Sequence, residues 1–342
     1  MSNHSPILFV EINSKDFIFV IGNCDESKNF TLKRSIKIPI EGISENKISD
    51  LNLVSNIIKK NIYSLENEID FVFEEVIIIV NNFECSLINL SGYKKLNGSQ
   101  LSRDNITYML NSLKSKITEV NNHKKILHIF NSNYLLDKKK IDNLPIGLFG
   151  NFYSQELSFF LINDNDFKNL KTIFNKCNLR IKKVISKNFL EGVNIIESNL
   201  NIENFFKIEI CEDASEIIFF DDSSLKYIQK FRFGTNLILN DICKITSLNI
   251  ETVREILSNL KSSDKTNESY VEKDFFKNQN FRKIKKKLLF EIAKARIQEF
   301  AEIMILKNIN LKSLIKQKII LFLKVHDQLN LKCFKEDLYF AY

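Results

Sequence analysis

The chain has 342 residues, 44% of them hydrophobic, and a formal net charge of +7. That length accommodates about two domains with a sizeable core, and so modest a charge argues against a general nucleic-acid-binding role. The six cysteines form no C-x-x-C pair and the four histidines do not cluster with them in sequence, which predicts neither a zinc site nor a disulfide framework. No secretory signal is recognisable, and the longest apolar runs are far below the ~20 residues that span a bilayer, so we expect a cytoplasmic protein.

The first 80 residues alternate strands with a helix. Apolar patterning predicts a β-hairpin from residues 7–11 and 17–21, and a third strand at residues 33–40. Residues 50–65 carry apolar side chains at helical spacing, and a buried strand at residues 75–80 follows them. This order is typical of an α/β layer arrangement.

Residues 81–163 are interpreted as an insertion with strand-helix-strand-strand character. Its predicted elements are a strand at residues 83–90, a helix at 102–120 with Ser102 as N-cap, and strands at 125–130 and 156–162. The α/β rhythm then returns with a helix at residues 166–177, a strand at 180–185 and a helix at 189–198.

A second hairpin begins near residue 208 and has the layout of a phosphate-binding hairpin without its glycines. A strand at residues 208–211 leads into a polar turn at 212–215 and a strand at 216–220. A further turn, a third strand and a helix opening near Gly234 follow. Glycine-rich turns let backbone N–H groups approach phosphates, whereas Cys211, Glu212 and Asp213 add side chains at these positions.

The remainder of the chain is mostly helical in pattern. The predicted elements are helices at residues 236–246 and 251–260, an aperiodic polar stretch at 261–280, a long helix at 282–306 and a last strand at 318–323.

Several segments, in chain order, resemble motifs of the FtsA family of bacterial cell-division proteins, which is part of the actin-like ATPase superfamily. EINSKDFIFVIG (residues 11–22) is similar to the family's first phosphate motif, and EICEDASEIIFF (209–220) to its second. The other similar segments are ILHIFNSNYLLD (126–137), LPIGLFG (144–150), residues 169–192, FGTNLILNDI (233–242) and EIAKARIQEFAEIM (291–304).

The resemblance implies an α/β, actin-like two-lobed fold of two RNase H-like halves with an SHS2-type inserted subdomain. Residues 1–80 and 164–205 would form the first half and residues 81–163 the SHS2-type insertion. Residues 206–235 and 310–342 would form the second half, truncated at its C-terminus relative to the family. Residues 236–309 would be its helical part and the candidate FtsZ-binding region.

The resemblance also places the family's nucleotide-binding positions on this chain. They are Glu11, Asn13 and Ser14 in the first motif, Cys211, Glu212, Asp213, Ser215 and Gly234 in and after the second, and His326 in the third, which corresponds to residues 322–329. Glycines are absent from the second and third motifs, and His326 is interpreted as an ordinary turn residue. Each carboxylate about 4 Å from a phosphate opposes binding by ~1 to ~4 kcal/mol. We therefore expect ATP binding to be lost or feeble, with no catalytic residue, no cofactor and no metal, although the carboxylate pair could instead hold a cation.

The partners implied by the resemblance are the C-terminal tail of FtsZ and further copies of the chain. Arg296 and Glu299 occupy family positions on one helix face, where the arginine could pair with an acidic tail. A surface salt bridge on a packed helix explains the same two residues equally well. Residues 329–342 are interpreted as a packed helix in preference to a membrane-surface anchor, so membrane association would be weak or indirect, at the inner face of the division site.

The leading interpretation is a division scaffold that binds FtsZ without ATP turnover and does not act as an enzyme. Two alternatives remain open. One is a pilus-assembly adaptor of the PilM type, which shares the SHS2-type insertion. The less favoured one is an active ATPase or sugar kinase of the same superfamily.

Overall fold

The computed structural model describes residues 5–13, 15–27, 29–44, 47–81, 83–199, 202–265, 268–276, 280–314, 319–326 and 334–342. Two compact units are present, residues 1–203 with 221–226 and residues 204–220 with 227–342. Ser14 and residues 327–333, which the sequence assigned to a nucleotide motif and to the C-terminal tail, lie outside the described residues.

The first unit begins with a hairpin and a strand, followed by a helix and a parallel strand. These elements are β1 (Ile7–Ile12), β2 (Asp16–Cys24), β3 (Phe30–Pro39), β4 (Ile43–Ser44), β5 (Lys47–Ile48), α1 (Leu51–Ile69) and β6 (Glu75–Val80). The N-cap of α1 is Asp50, whose carboxylate accepts the Leu53 N–H at 2.9 Å. The predicted hairpin, helix and buried strand are therefore confirmed, with α1 one turn longer than its apolar pattern indicated.

The inserted segment forms its own sheet with one helix. Its elements are β7 (Cys85–Lys95), α2 (Arg103–Val120), β8 (Lys124–Leu136), β9 (Lys139–Ile141) and β10 (Phe152–Asn163), in the strand order β7-β10-β8-β9. Ser102 caps α2 through a capping box with Asn105, as its sequence position predicted. The short β9 was missed because three residues with two lysines carry no strand pattern.

The larger sheet of the first unit is completed by α3 (Asp164–Lys176), β11 (Arg180–Ser186) and α4 (Lys187–Ser198). Its strand order is β11-β6-β1-β2-β3, in which β1, β6 and β11 are parallel. On β1 and at the start of β2 every second side chain is buried, and these side chains pack with buried residues of α1 and α3. The alternation arises because successive strand residues point to opposite faces of the sheet.

The second unit repeats this layout and adds a helical segment. Its elements are β12 (Phe205–Ile210), β13 (Ser215–Asp221), β14 (Ser224–Phe231), α5 (Thr235–Thr246), α6 (Ile250–Asn259), α7 (Lys286–Ala301), a π-helical turn (Glu302–Leu306), β15 (Ile320–Val325) and α8 (Lys335–Ala341). The strand order β14-β13-β12-β15 matches β3-β2-β1-β6 of the first unit, including the parallel fourth strand. Short 3-10 turns occupy part of the stretch predicted to lack periodicity.

The long helix begins later than its sequence pattern predicted. Residues 282–285 are not helical, Lys285 pairs with Tyr270 in an antiparallel bridge, and Val271 N–H donates to Ile284 O at 2.9 Å. The predicted start at residue 282 is therefore wrong, because a tertiary strand contact outweighs the helix propensity of the basic run. None of the helices in the described residues is long and apolar enough to cross a lipid bilayer.

Candidate functional site

The turn between β1 and β2 carries the first candidate motif. The Asn13 side-chain oxygen accepts hydrogen bonds from the Lys15 and Asp16 N–H groups, both at 2.8 Å. This Asx-type turn occupies backbone donors of the kind that a phosphate would need. These two backbone N–H groups thus already have an acceptor, the Asn13 side chain, within the loop.

Glu11, the acidic residue of the first motif, is held in an ion pair. The Lys187 Nζ lies 2.5 Å from the Glu11 Oε1, and Lys187 is the first residue of α4. Both side chains are largely shielded, at 16% exposure for Glu11 and 27% for Lys187. The ammonium group therefore supplies the local positive charge at this carboxylate.

The turn between β12 and β13 spans residues 211–214, so Ser215 lies in the strand and not in the predicted turn. Cys211 N–H donates to Ala214 O at 2.8 Å and closes the turn. The Asp213 carboxylate accepts the Asn236 side-chain amide at 2.8 Å, and the Ser215 hydroxyl donates to Phe233 O at 2.8 Å. The Asp213 and Ser215 side chains thereby form hydrogen bonds within the protein.

Gly234 marks the closest approach between this loop and helix α5. A Cβ on Gly234 would lie 2.2 Å from Cys211 O and 2.5 Å from Glu212 O. Those carbonyls accept the Thr235 and Asn236 N–H groups, both at 2.9 Å, at the N-terminus of α5. Residue 234 must be glycine because there is no space for a Cβ.

A polar cluster forms where the parallel strands β12 and β15 end. Glu209 is 9% exposed, with Lys207 Nζ 2.7 Å from its Oε2 and Lys324 Nζ 3.3 Å from its Oε1. The His326 ring also contacts Oε1. Burial would raise the pKa of Glu209, but Lys207, His326 and Lys324 together lower it to about 2, so the carboxylate is ionised.

Cys211 completes this cluster. Ligand atoms of Glu209, Cys211 and His326 all lie within 4.8 Å of one another. Burial, with a smaller contribution from the Glu209 charge, raises the pKa of the Cys211 thiol to about 11. The sequence analysis interpreted His326 as an ordinary turn residue and predicted no cluster. Cys211 and His326 approach each other only because β12 pairs in parallel with β15. Their positions in the second and third family motifs were the available signal.

The candidate FtsZ-binding pair lies on α7. Arg296 Nε donates to Asp241 Oδ2 of α5 at 2.5 Å, and Arg296 Nη1 donates to Glu299. The arginine side chain is 25% exposed. Arg296 and Glu299 do share a helix face, and Asp241 is a third member that the sequence did not single out.

The C-terminal helix α8 packs on the second unit. Phe334 is fully buried, its ring 5.0 Å from that of Phe290, and Leu338 is 7% exposed. The Tyr342 hydroxyl contacts Met304 Sδ at 3.6 Å. For these residues the interpretation as a packed helix is confirmed.

The fold is the actin-like α/β fold. A chain of the PilM-PilN type IV pilus biogenesis complex superposes on 97% of this chain, and on 86% of its own length, with a TM-score of 0.57 and 9% sequence identity. No protein-family model matches the sequence.

The sequence is similar, at a divergent level, to those of FtsA cell-division proteins. It is 23% identical over 224 residues to the cell division protein FtsA of Buchnera aphidicola subsp. Acyrthosiphon pisum, covering 65% of this chain and 51% of that one. It is 17% identical over 204 residues to FtsA of Escherichia coli K12, covering 60% and 48%. The chain spans about half the length of the curated relatives it matches.

Proposed function

We propose that this protein is a cell-division scaffold of the FtsA type that acts by binding partners and does not turn over ATP. The observation that carries the cell-division role is the similarity to several FtsA sequences over about 60–70% of the chain. The loss of ATP turnover is supported by the β1–β2 and β12–β13 loops, because polar groups of both loops already have partners within the protein.

Three features disfavour a bound nucleotide. The Asn13 side chain takes two N–H donors of the first loop. Glu11 is paired with Lys187, so the carboxylate that would face magnesium already has a cation. Cys211, Glu212 and Asp213 place side chains and two carboxylates in the second loop, at a penalty of ~1 to ~4 kcal/mol for each charge near a phosphate.

Calorimetric titration with Mg-ATP tests this part of the proposal. We expect no binding in the micromolar range, because about 8 kcal/mol of favourable free energy is needed for micromolar affinity. Micromolar binding, or phosphate release above that of a buffer blank, would contradict it.

We further propose that Arg296 binds the acidic C-terminal tail of FtsZ. A tail carboxylate would exchange with those of Asp241 and Glu299, which already hold the guanidinium in a fixed orientation. The test is fluorescence anisotropy with a synthetic FtsZ tail peptide. Arg296→Glu should abolish binding and Asp241→Asn should strengthen it, whereas Arg254→Glu on the exposed face of α6 should have no effect. Absence of binding by the unmodified protein would refute the FtsZ assignment.

A pilus-assembly adaptor of the PilM type is the second candidate. It is favoured by the superposition with a chain of the PilM-PilN complex over 97% of this chain. A peptide from the PilN-type partner, used in the same anisotropy assay, separates the two. Binding of that peptide without binding of the FtsZ tail would favour the adaptor.

A further inference from the structure

Three side chains with metal-ligand chemistry meet in the second unit, where strands β12 and β15 end. They are Glu209, Cys211 and His326, and their ligand atoms lie within 4.8 Å of one another. No other group of three such residues meets this distance condition in the part of the chain that the structure describes. Ligands bind at the carboxyl ends of parallel strands in many α/β proteins, because side chains from adjacent strand ends converge there.

We propose that Glu209, Cys211 and His326 bind one divalent transition-metal ion of the zinc type. A thiolate, an imidazole and a carboxylate form a ligand set that suits Zn²⁺ or Co²⁺. Mg²⁺ and Ca²⁺ prefer oxygen ligands alone, so the cysteine and the histidine select against them. Such a site is formed by side chains only and needs no nucleotide.

The backbone around the three residues is fixed by hydrogen bonds. Cys211 N–H donates to Ala214 O at 2.8 Å, and His326 N–H donates to Ile210 O at 2.9 Å. Tetrahedral coordination with bonds of about 2.0–2.3 Å separates ligand atoms by roughly 3.3–3.7 Å. Side-chain shifts of about 1 Å would part the hydrogen-bonded His326 ring and Glu209 Oε1 enough to admit an ion, without moving the strands, and water would take the fourth position.

The two oxygens of Glu209 have different surroundings. Lys207 Nζ, on a side chain only 4% exposed, bonds Oε2 at 2.7 Å and would orient the carboxylate as outer hydrogen-bond partners of metal ligands do. Oε1 contacts both the His326 ring and Lys324, and it is the oxygen that would bind the metal. Lys324, 3.3 Å from Oε1 and 46% exposed, is the cation that must turn toward solvent.

The charges at the site act in two directions. On binding, the Cys211 thiol would release its proton to solvent, and the resulting thiolate and the Glu209 carboxylate would together neutralise the dication. Lys324 is a like charge near the proposed metal position, so it opposes binding and should lower the affinity roughly three- to tenfold.

The test uses untagged, metal-free protein titrated with Co²⁺ and then with Zn²⁺ in competition. We expect one ion per chain, a thiolate-to-cobalt charge-transfer band in the near ultraviolet, and displacement of Co²⁺ by Zn²⁺ but not by millimolar Mg²⁺. Cys211→Ser should remove the charge-transfer band, and His326→Gln should weaken binding at least tenfold. Cys243→Ser and His123→Gln, which alter a cysteine and a histidine outside the cluster, should leave both unchanged.

Lys324→Gln keeps all three ligands and separates metal binding from a folding defect. It should raise the Co²⁺ affinity about three- to tenfold, whereas Lys244→Gln, an exposed lysine on α5, should not. Absence of Co²⁺ binding, a charge-transfer band that survives Cys211→Ser, or weaker binding by Lys324→Gln would each overturn the proposal. None of these outcomes depends on whether the protein binds FtsZ.

Discussion

Gly234 is the residue at which the second loop and helix α5 come closest. Gly234→Ala would place a Cβ 2.2 Å from Cys211 O, a backbone atom that side-chain rotation does not move. We expect a loss of about 3 kcal/mol in the free energy of unfolding, measured by urea denaturation.

Gly98→Ala is the matched control for this substitution. A Cβ on Gly98 meets no atom within 4 Å, and its φ of +84° limits the effect to backbone strain of about 1 kcal/mol. If Gly234→Ala were no more destabilising than Gly98→Ala, the close contact between the β12–β13 loop and helix α5 at Gly234 would be contradicted.

Lys207 and Glu209 form a buried ion pair on β12, at 3% and 9% exposure. In metal-free protein, Lys207→Met should lower the free energy of unfolding by about 3 kcal/mol, because it leaves a buried carboxylate without its main partner. The double variant Lys207→Met/Glu209→Gln should recover part of this loss. A double variant less stable than Lys207→Met would show that the charge itself is not the cause.

This ion pair also predicts a pH dependence with a definite sign. The folded-state pKa of Glu209, about 2, lies below its ordinary value of 4.5. The stabilisation is therefore complete above pH 4.5 and is lost as the pH falls toward 2. Urea denaturation at a series of pH values should show the difference between the unmodified protein and Lys207→Met shrinking below pH 4.5.

At the scale of elements, α8 belongs to the core of the second unit. Phe334→Ala removes a fully buried ring and should lower the free energy of unfolding by about 3 kcal/mol. Leu306→Ala, at a side chain that is 70% exposed, should change it by less than about 0.5 kcal/mol. Equal effects would indicate that α8 does not pack in solution, and sedimentation with anionic liposomes would then test the surface-anchor alternative.

Most elements of both units could be predicted because local patterns determine them. Apolar spacing was sufficient for α1, and apolar spacing together with the Ser102 cap was sufficient for α2. The start of α7 was not predictable, since the bridge between Tyr270 and Lys285 is a contact between segments that no local pattern encodes.

For the candidate site, strand alternation and polar residues predicted a turn at residues 212–215, one residue away from the observed turn at 211–214. The approach of His326 to Cys211 did not, because it depends on the register Ile210↔Val325 between strands distant in sequence. Likewise, the pairing of Glu11 with Lys187 and of Arg296 with Asp241 required the tertiary fold. Sequence patterns indicated which residues mark the site, and the packing of strands and helices determines which of them meet.

At the scale of the whole molecule, the scaffold proposal makes a thermodynamic prediction about partner binding. Coupling between two ligands is reciprocal, so a nucleotide that does not bind has no effect on the affinity of another ligand. The dissociation constant for the FtsZ tail peptide should therefore agree within twofold in the presence and absence of millimolar Mg-ATP, as measured by anisotropy.

A variant with glycines restored in the loops provides the positive control for that measurement. This variant combines four substitutions: Asn13→Gly, Cys211→Gly, Glu212→Gly and Asp213→Gly. It removes two carboxylates, and it removes the Asn13 side chain that accepts two backbone N–H groups. Since each carboxylate opposes a phosphate by ~1 to ~4 kcal/mol, the affinity for Mg-ATP should rise at least tenfold over the unmodified protein. If nucleotide shifted peptide affinity fivefold or more in the unmodified protein, its loops would be functional despite their missing glycines, and the protein would be a nucleotide-regulated member of the actin-like class.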